Sequence, residues 1–372
     1  MERGISGRVS AFGDAYRGTR VLLTGHTGFK GSWLSLWLER LGARTTGLSI
    51  DIPTTPSLFE LAGVSGGLDH RFGDVRDAAA MAALVDEVRP DVVFHLAAQP
   101  LVRHSFAEPL VTLATNVMGT ANVLEAVRAA GRRCAVVVVT SDKCYHNDGR
   151  REGYRETDPM GGHDPYSMSK GAAELVVESW RDSFFSAPDS PVGLASGRAG
   201  NVIGGGDWAA DRIVTDCVAA LGAARPIGIR NPLATRPWQH VLEPLSGYLM
   251  LGELLLQGAD VAEGWNFGPD PDNVRNVGEL VERFLHEWGS GSALEQTEAG
   301  APKEAFALSL DIDKVRERLG WRPVWDFERT VAETASWYKA WLGSDRPVRD
   351  LCREQIDRYE GDAAALGVPW TG

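Results

Sequence analysis

Short apolar segments alternate with helical segments through the first half of the chain, and this alternation limits the folds open to it. Predicted strands lie at residues 20–24, 45–50, 71–73, 91–97 and 135–140, the clearest being AVVVVT at 135–140. Predicted helices lie at residues 32–41, 77–88 and 110–130. Strands separated by helices of this length form βαβ units, which place parallel strands in one sheet with helices on both faces. The sequence therefore predicts an α/β fold built on a doubly wound parallel sheet.

The second half of the chain has a less regular pattern. From about Asn201 onward, short segments of both types mix with proline-containing turns, which predicts a smaller mixed lobe beside the sheet. Residues 327–342 return to a helical apolar pattern. We therefore divide the chain into an N-terminal extension (1–17), a Rossmann-like domain (18–200), a mixed C-terminal lobe (mainly 201–345) that returns in part to the Rossmann-like domain, and a C-terminal tail (346–372).

Charge and cysteine content exclude several classes of protein. The 372 residues include 38 Lys and Arg against 50 Asp and Glu, and this formal charge of −12 argues against a nucleic-acid partner. No run of 18 uncharged apolar residues is present and the N-terminus carries charges throughout, so neither a membrane span nor a secretory signal is predicted. The four cysteines lack disulfide or metal-site spacing, which indicates a reduced, cytoplasmic protein without a structural metal.

A glycine-rich turn follows the first predicted strand. In Gly25-His-Thr-Gly28-Phe-Lys-Gly31, the first glycine allows a tight turn, the second lets the backbone approach a pyrophosphate, and the third lets a helix pack on the sheet. Such a heptapeptide can also be a plain strand–helix turn. Asp51 lies 20 residues after Gly31, where a carboxylate would bind the adenosine ribose and repel a 2′-phosphate. This favours NAD over NADP, although Lys30 could serve a phosphate.

Tyr166 and Lys170 form a Tyr-x-x-x-Lys pair on one face of a predicted helix. Alone, this spacing is common on surface helices. Here it follows the glycine-rich turn and the strong strand that ends at Thr140-Ser141, so we interpret it as a catalytic pair. The ammonium of Lys170 is expected to lower the pKa of Tyr166 toward the working pH. The tyrosine could then take a proton from a sugar hydroxyl while hydride leaves for a nicotinamide.

Seven longer segments resemble one family of enzymes. They are GHTGFKGSWL (25–34), HLAAQPLVR (95–103), TNVMGT (115–120), TSDKCY (140–145), DPYSMSKG (164–171), RAGNVIGGGDW (198–208) and RPWQHVLEPLSGY (236–248). Over residues 18–342 the chain resembles extended short-chain dehydrogenases/reductases that act on nucleotide sugars, and it is most similar to CDP-glucose 4,6-dehydratases. The resemblance implies an NAD-dependent lyase that oxidises C4 of CDP-glucose, eliminates water across C5 and C6, and returns hydride to C6, giving CDP-4-keto-6-deoxyglucose.

The resemblance also implies roles for individual residues. The catalytic residues are Ser141, Asp142, Lys143, Tyr166 and Lys170. The cofactor-binding residues are Gly25, Thr27, Gly28, Phe29, Lys30, Gly31, Asp51, Asp74, Val75, Leu96, Ala97 and Ala98, together with Tyr166 and Lys170. The substrate-binding residues are Gln99, Arg103, Asn201, Arg230, Arg236 and Gln239, and the C-terminal lobe is the substrate-binding lobe. Asp74 could equally be a helix cap, and Gly197 departs from the family by standing where a larger apolar residue is usual.

The adjacent Asp142 and Lys143 match the acid–base pair of the dehydratases. Asp142 is expected to protonate the departing 6-hydroxyl and Lys143 to take the C5 hydrogen, which requires a protonated carboxyl and a neutral amine. A charged Lys143 that only stabilises the enolate is the other interpretation, and the sequence leaves both open.

Two other activities fit the same fold. A nucleotide-sugar 4-epimerase, or a dehydratase for another nucleotide sugar, would share the glycines, Tyr166 and Lys170, but an epimerase does not require Asp142-Lys143. A non-catalytic NAD-binding regulator is the third interpretation. The choice of cytosine as the base rests on the resemblance alone. Helices 110–130 and 165–185 resemble those of a four-helix dimer interface, so a homodimer is expected, with a tetramer left open.

Overall fold

A computed structural model describes residues 11–150, 152–295 and 308–372 of the chain. The strands are β1 (Arg20–Thr24), β2 (Arg44–Ser49), β3 (Asp69–Phe72), β4 (Val92–His95), β5 (Cys134–Val139), β6 (Val192–Ala199), β7 (Val202–Ile203), β8 (Ile227–Ile229), β9 (Thr235–Arg236), β10 (Gln239–His240), β11 (Gly264–Phe267), β12 (Arg275–Asn276) and β13 (Ala293–Glu295). The α-helices are α1 (Phe29–Arg40), α2 (Leu58–Leu61), α3 (Ala78–Val88), α4 (Val102–Ala107), α5 (Pro109–Leu113), α6 (Gly119–Ala130), α7 (Pro165–Trp180), α8 (Ile213–Gly222), α9 (Leu242–Gln257), α10 (Val277–Trp288), α11 (Asp313–Leu319), α12 (Phe327–Gly343) and α13 (Val348–Leu366).

Seven strands form the central sheet, in the order β3-β2-β1-β4-β5-β6-β11. Every neighbouring pair is parallel, which confirms the predicted doubly wound α/β fold. The chain builds outward in one direction from β1 to β3 and in the other from β4 onward. In such sheets, ligands bind in the crevice beyond the carboxyl ends of the strands where the order reverses. Here that crevice lies beyond β1 and β4.

The predicted boundaries agree closely with the observed ones. β1 forms over the predicted residues, and the other four predicted strands begin and end within two residues of expectation. Helix α1 begins at Phe29, three residues before its predicted start, because the helix begins directly after Gly28 while its apolar periodicity begins only at Trp33. The predicted helix 110–130 forms as α5 and α6 joined by a π-helical turn, Ala114–Met118.

Two apolar layers cover the faces of the sheet. Side chains of a strand alternate between faces, so Val137 of β5 packs with α1 and α9, whereas Val136 and Val138 pack with α3, α6 and α7. Helix α9 lies against β5 and β6 although it comes from the C-terminal half of the chain. Strand β11, which also comes from this half of the chain, extends the sheet beside β6.

The remaining strands of the C-terminal half form short ladders outside the main sheet. β9 pairs with β12 antiparallel, β8 with β13 in parallel, and β7 with β10 in parallel. They pack with α8 and α10 to form the smaller mixed lobe. Helix α12 holds the segment that follows β7 in place. The Tyr338 hydroxyl donates to the Asp207 carbonyl (2.7 Å) and accepts from the Asp207 N–H (2.9 Å).

The two ends of the described chain meet behind α1. The rings of Phe12 and Trp370 stack with centroids 5.0 Å apart, and Trp37 of α1 packs edge-on against both. Tyr359 of α13 stacks on Trp370 as well. The described part of the N-terminal extension and the C-terminal tail are therefore built into the hydrophobic core. Residues 1–10 of that extension lie outside the described residues.

The stretch Pro109–Ala130 is long and apolar enough, by length and composition alone, to cross a membrane. Half of its most apolar window is buried inside the protein, as in a core helix of a folded domain. The four cysteines are all buried and unpaired. Within the described ranges, no group of three or more His, Cys, Asp or Glu side chains is placed to hold a metal ion.

Candidate active site

The glycine-rich turn between β1 and α1 lies at the crevice. Gly25 has a φ of +80°, and a Cβ there would lie 2.7 Å from the Ala97 nitrogen. A Cβ on Gly31 would lie 2.1 Å from the Gly25 carbonyl oxygen. Both positions therefore exclude any side chain, whereas a Cβ on Gly28 would meet only one atom, at 3.4 Å. At Gly28, the backbone of the turn carries no side chain on the side where the N-terminus of α1 would attract a phosphate.

The carboxyl ends of β1 and β4 are held together beside this turn. The Leu96 nitrogen donates to the Thr24 carbonyl (3.1 Å), and the Ala97 nitrogen donates to the Thr24 hydroxyl (3.2 Å). Leu96, Ala97 and Ala98 are all half-buried. The structure thus brings these predicted cofactor-binding residues next to Gly25.

The end of β2 contributes the predicted ribose carboxylate. Asp51 is exposed two residues beyond the strand, and its carbonyl accepts a hydrogen bond from the Thr27 hydroxyl (2.7 Å). Asp74 pairs with Arg76 at 2.6 Å, and this hydrogen bond lowers the pKa of its carboxyl. Val75 is buried. Asp51 presents its carboxylate at the surface, whereas Asp74 already has a charged partner.

Ser141 follows β5 and begins a 3₁₀ turn, Asp142–Cys144. Its hydroxyl donates to the Asp142 carboxyl (3.0 Å) and accepts from the Lys143 backbone N–H (3.2 Å). Asp142 is buried and Lys143 is half-buried. One hydroxyl therefore fixes the backbone and the carboxyl of the predicted acid–base pair.

Tyr166 and Lys170 stand on α7, which begins at an Asp164 side chain that accepts from the Ser167 N–H (2.9 Å). Burial raises the pKa of Tyr166 to about 12, although its hydrogen bond with Ser141 acts in the opposite direction. The prediction that the pKa of Tyr166 is lowered is therefore wrong for this structure, because burial raises the pKa more than the hydrogen bond with Ser141 and the charge of Arg212 lower it. Tyr166 and Ser141 nonetheless lie within hydrogen-bond reach, as the catalytic interpretation requires.

Lys170 is also buried, and burial lowers its pKa to about 8. The carboxylate of Glu174, one turn further along α7, opposes this shift. Glu174 itself pairs with Arg198 of β6 at 2.8 Å, and it accepts hydrogen bonds from the Ser196 hydroxyl (2.7 Å) and the Thr140 hydroxyl. Behind Lys170 there is thus a buried carboxylate that is paired with a buried guanidinium and accepts two hydroxyl hydrogen bonds.

This ion pair extends into a polar network that sequence reasoning missed. Arg198 donates to the Tyr145 hydroxyl (2.8 Å), which donates to the Asn266 side-chain oxygen (2.7 Å). Asn266 in turn donates to the carbonyls of Tyr154 and Asp311. A charged residue within a helix face otherwise expected to be apolar, such as Glu174, is the sequence signal that could have indicated it.

The side chain of Lys30 is directed toward the ring of Tyr248. Its Nζ is 5.9 Å from the centroid of that ring, and Asp142, Lys170 and Arg212 are its charged neighbours. Burial, followed by the two cationic neighbours, lowers the pKa of Lys30 to about 7, while Asp142 acts to raise it. The lysine of the glycine-rich turn therefore lies near the predicted catalytic residues Asp142 and Lys170. Neither Arg212 nor Tyr248 was predicted as a site residue.

The predicted substrate residues fall into two groups. Gln99 is buried, and its amide is committed to the loop: it accepts from the Leu101 N–H (2.6 Å) and donates to the Leu101 carbonyl and the Thr112 hydroxyl. Arg103 and Arg230 both approach the same carboxyl oxygen of Asp211, at 3.4 and 3.1 Å. The structure thus brings these two arginines together, whereas Gln99 serves the loop that carries it.

The other substrate residues line the junction of the two lobes. Asn201 is half-buried between β6 and β7. Arg236 is buried in β9 and donates to the Thr235 carbonyl (2.8 Å). Gln239 is buried in β10, where its amide nitrogen donates to the Phe267 carbonyl (3.2 Å). Its amide oxygen is buried and has no hydrogen-bond partner among the described residues.

The parallel sheet and the residues of this crevice can now be compared with known protein families. Residues 22–334 match the model of the GDP-mannose 4,6 dehydratase family, and the chain belongs to that family. A CDP-glucose 4,6-dehydratase from Salmonella typhimurium is 48% identical over 331 residues, which cover 88% of this chain and 92% of the relative. A dTDP-glucose 4,6-dehydratase from Xanthomonas campestris pv. campestris is 28% identical over 343 residues, covering 85% and 92%.

Solved structures show the same fold. The crystal structure of a dTDP-glucose 4,6-dehydratase from Bacillus anthracis, in complex with NAD, superposes with a TM-score of 0.73. It is 21% identical, and the match covers 87% of this chain and 97% of that one.

Proposed function

We propose that the chain is an NAD-dependent nucleotide-sugar 4,6-dehydratase that converts CDP-glucose to CDP-4-keto-6-deoxyglucose. This proposal rests on the positions of Ser141, Asp142 and Tyr166. The Ser141 hydroxyl is within hydrogen-bond reach of both the Tyr166 phenol and the Asp142 carboxyl, in the crevice beside the glycine-rich turn. The relative from Salmonella supports the substrate, since it is named for CDP-glucose and shares 48% of its residues with this chain.

The glycine-rich turn fits a dinucleotide. Gly25 and Gly31 leave no room for a Cβ, which is the arrangement that lets a pyrophosphate approach the backbone at the start of α1. The exposed carboxylate of Asp51 would hydrogen-bond the ribose hydroxyls and repel a 2′-phosphate, which supports NAD. When bound, NAD accepts the hydride from C4 of the sugar and later supplies it to C6.

The first step is removal of the 4-hydroxyl proton by Tyr166. Ser141 orients the phenol, and Lys170 supplies a positive charge one helical turn away. A phenol with a pKa of about 12 gives a strong base that is rarely ionised at neutral pH. The rate of C4 oxidation should therefore rise as pH rises from 7 toward 8, since more of Tyr166 becomes phenolate, and level off above pH 8 as Lys170 loses its charge.

The second step is loss of water. The 4-ketone acidifies the C5 hydrogen, and we assign the removal of this hydrogen to Lys143. Asp142 gives its proton to the 6-hydroxyl as the C6–O bond breaks. One C–H bond and one C–O bond are lost, and the 4-keto-5,6-ene and one water are formed. Hydride then returns to C6 and a proton returns to C5.

The diphosphate is assigned to the arginines of the lobe junction. Arg103 and Arg230 are held near each other because both pair with Asp211. Arg236 follows Arg230 closely in the sequence and is buried. Guanidinium groups bind phosphate oxygens bidentately. We propose that Asn201 and Gln239 complete this subsite, because the amide oxygen of Gln239 is buried without a partner within the described structure.

One incubation tests the reaction. The protein is mixed with NAD and CDP-glucose, and the nucleotide sugar is weighed by mass spectrometry. Loss of one water is expected; an isomer of unchanged mass that separates from CDP-glucose in chromatography would instead show a 4-epimerase. Tyr166→Phe is the control, because it keeps the ring and removes the hydroxyl, so dehydration should stop while the fold remains. Unchanged CDP-glucose with the unmodified protein, but dehydration of a dTDP or GDP sugar, would correct the substrate.

A second measurement separates the two interpretations of Lys143. In deuterated water, a base at this position exchanges the C5 hydrogen of the 4-keto sugar. Lys143→Met should abolish that exchange. Exchange at the normal rate in this variant would leave Lys143 only the stabilisation of the enolate.

We further propose a homodimer formed by the helices Pro109–Ala130 and 165–185. Their outer surface carries large exposed apolar side chains: Leu110 is 78% exposed and Leu175 is 54% exposed. Exposed large apolar side chains on two neighbouring helices are consistent with an interface. Leu175→Glu should give monomers in light scattering, whereas Leu233→Glu, which changes a leucine that is also exposed (68%) but lies outside these helices, should not. The four buried, unpaired cysteines suit a reducing compartment, which supports a cytoplasmic enzyme.

A further inference from the structure

The first turn of helix α7 donates a hydrogen bond to a residue of another segment. The first N–H groups of an α-helix have no acceptor within the helix. In α7, Pro165 has no N–H, and the Ser167 N–H donates to the Asp164 carboxyl (2.9 Å). The Tyr166 N–H donates to the Ser105 hydroxyl (3.2 Å), which belongs to helix α4. Ser105, which was not predicted as a site residue, therefore accepts from the one N–H of residues 165–167 that the helix cap leaves open.

Ser105 joins two helices that carry site residues. It is wholly buried (0% exposed), and its hydroxyl also donates to the Val102 carbonyl (2.7 Å), three residues earlier in α4. The hydroxyl is therefore fixed in direction, with its proton on α4 and a lone pair toward α7. Arg103, which we assign to the diphosphate, lies two residues before Ser105 on the same short helix. Through Ser105, the helix of a proposed substrate arginine contacts the first turn of the helix that carries the candidate base.

Tyr166 is held at three of its own atoms. Its phenol lies within hydrogen-bond reach of Ser141, beyond the carboxyl end of β5. Its carbonyl accepts from the Ser169 hydroxyl (2.7 Å) of the same helix, and its N–H donates to Ser105. Ser105 thus provides the link from this tyrosine to the segment that carries Arg103. The direction of the phenol depends on all three contacts, because the ring and the backbone groups belong to one residue.

The segment 97–107 is attached to the same part of the structure at a second, independent point. The side-chain oxygen of Asn116 accepts from the Gln99 N–H (2.8 Å), and its amide nitrogen donates to the Gln99 carbonyl (3.1 Å). The same nitrogen donates to the Ser169 hydroxyl of α7 (2.8 Å), and Asn116 is 2% exposed. Because this attachment does not involve Ser105, loss of the Ser105 hydroxyl should leave the segment in place and the chain folded. It should change how α4 meets the first turn of α7.

We propose that Ser105 is a positioning residue that sets the place of the Tyr166 phenol relative to the sugar 4-hydroxyl. This inference rests on the proposed 4,6-dehydratase function and deepens it. Ser105 is buried and acts through the backbone of Tyr166, so the proton of the 4-hydroxyl still passes to Tyr166 and the hydride of C4 to NAD.

The physical reason is the cost of a buried N–H group without an acceptor. When the Ser105 hydroxyl is removed, the first turn of α7 shifts until water or another oxygen accepts from the Tyr166 N–H. Proton transfer requires heavy atoms at about 2.6–3.2 Å, and a displacement of about 1 Å can cost about 100-fold in rate. Because the N–H and the phenol belong to the same residue, a shift of the turn moves the base away from the hydroxyl that it deprotonates.

The isotope effect on C4 oxidation tests the proposal. CDP-glucose with hydrogen or deuterium at C4 is converted by the NAD-loaded protein and by Ser105→Ala, and the rates are normalised to bound NAD. Ser105→Ala should lower kcat and kcat/KM together, on the order of 10-fold, and raise the isotope effect, because C4 oxidation then limits turnover. A lower rate with an isotope effect no larger than that of the unmodified protein would mean fewer active molecules and would overturn the proposal. A normal rate would overturn it as well.

Ser246→Ala is the matched control, because it removes the same two kinds of hydrogen bond elsewhere in the core. Ser246 of α9 is also 0% exposed, and its hydroxyl donates to the Glu243 carbonyl (2.7 Å), three residues earlier, and accepts from the Trp321 indole N–H (2.9 Å). Both variants should lower the unfolding midpoint in urea to a similar extent. Ser246→Ala should keep the normal rate and isotope effect. A loss of rate of the same size in this control would show a general loosening of the core, and the proposal would fall.

Amide hydrogen exchange tests the contact without turnover. In the unmodified protein the Tyr166 amide should exchange slowly although it lies in the first turn of a helix, and Ser105→Ala should speed its exchange more than that of Ser167, whose acceptor Asp164 remains. Fast exchange of the Tyr166 amide in the unmodified protein would overturn the proposal whether or not the variant folds. If neither protein dehydrates a nucleotide sugar while the exchange responds as expected, the proposed reaction fails and the anchoring of Tyr166 by Ser105 stands.

Discussion

Replacing Glu174 by glutamine removes the carboxylate from the buried ion pair behind the active site. The side chains of Glu174 and Arg198 are 3% and 8% exposed, and they meet at 2.8 Å. In Glu174→Gln the guanidinium stays buried, with its bond to the Tyr145 hydroxyl and a neutral amide in place of the carboxylate. Breaking a buried pair by removing one partner costs about 3–5 kcal/mol. Because glutamine still accepts one of the hydrogen bonds, we expect about 3 kcal/mol.

That loss is a large part of the stability of a typical domain, about 5–15 kcal/mol. It should also depend on pH. Burial raises the pKa of Glu174, but the charge of Arg198 and the hydrogen bonds that Glu174 accepts outweigh it, so the pKa in the folded protein is lowered. A lowered pKa stabilises the fold above the unfolded value of about 4.3, and the stabilisation is lost as pH falls through the folded value. The difference between the two proteins should be full at pH 7 and shrink below about pH 4.

The assay is urea unfolding of both proteins between pH 3.5 and 7. Glu125→Gln serves as the control, because Glu125 pairs with Arg128 on the surface, where little change in the unfolding midpoint is expected. The double variant Glu174→Gln, Arg198→Met should recover part of the loss, since no buried charge remains. Equal stability of the parent and Glu174→Gln at pH 7, or a difference independent of pH, would refute the reasoning.

Three further outcomes follow from contacts in the core. Gly197→Ala should destabilise the protein by about 1–3 kcal/mol in urea unfolding, since its Cβ would lie 2.6 Å from the ring of Tyr248; a neutral result would mean that α9 shifts freely. Tyr248→Phe should leave the unfolding midpoint unchanged or raise it, because the hydroxyl it removes is buried without a partner in the described chain; a clear drop would reveal a hidden hydrogen bond. Burial raises the pKa of Glu243 to about 7, above its unfolded value, so its stabilising effect is full below about pH 4.3 and falls by about 4 kcal/mol as pH rises from there through 7. Calorimetry of Glu243→Gln should show a flatter dependence between pH 5 and 8, and an unchanged slope would contradict this.

The fold was predictable because its signals are local. Apolar runs, helical periodicity and the spacing of Gly25 and Gly31 are properties of short segments, and each βαβ unit constrains the next. The predicted site residues on these segments, such as Ser141 and Tyr166, come within hydrogen-bond reach of each other beyond the carboxyl end of β5.

The features that the sequence did not predict depend on contacts between distant parts of the chain. The direction of Lys30 is set by Tyr248, more than two hundred residues away, and no local pattern distinguishes that direction from one toward a phosphate. The raised pKa of Tyr166 depends on the degree of burial, which is a property of the packed crevice. The packing of Trp370 on Phe12 joins the two ends of the described chain, a pairing that periodicity within either end does not encode.

Asp211, which sits at a φ of +62° between Arg103 and Arg230, would give the proposed diphosphate subsite an internal competitor. A diphosphate that entered there would have to displace a carboxylate that already pairs with both guanidinium groups. The free energy of binding would then be the difference between the ion pairs formed and those lost. Such an exchange would keep the affinity moderate, so the strength of binding could be tuned at position 211 without any change in the residues proposed to hold the sugar.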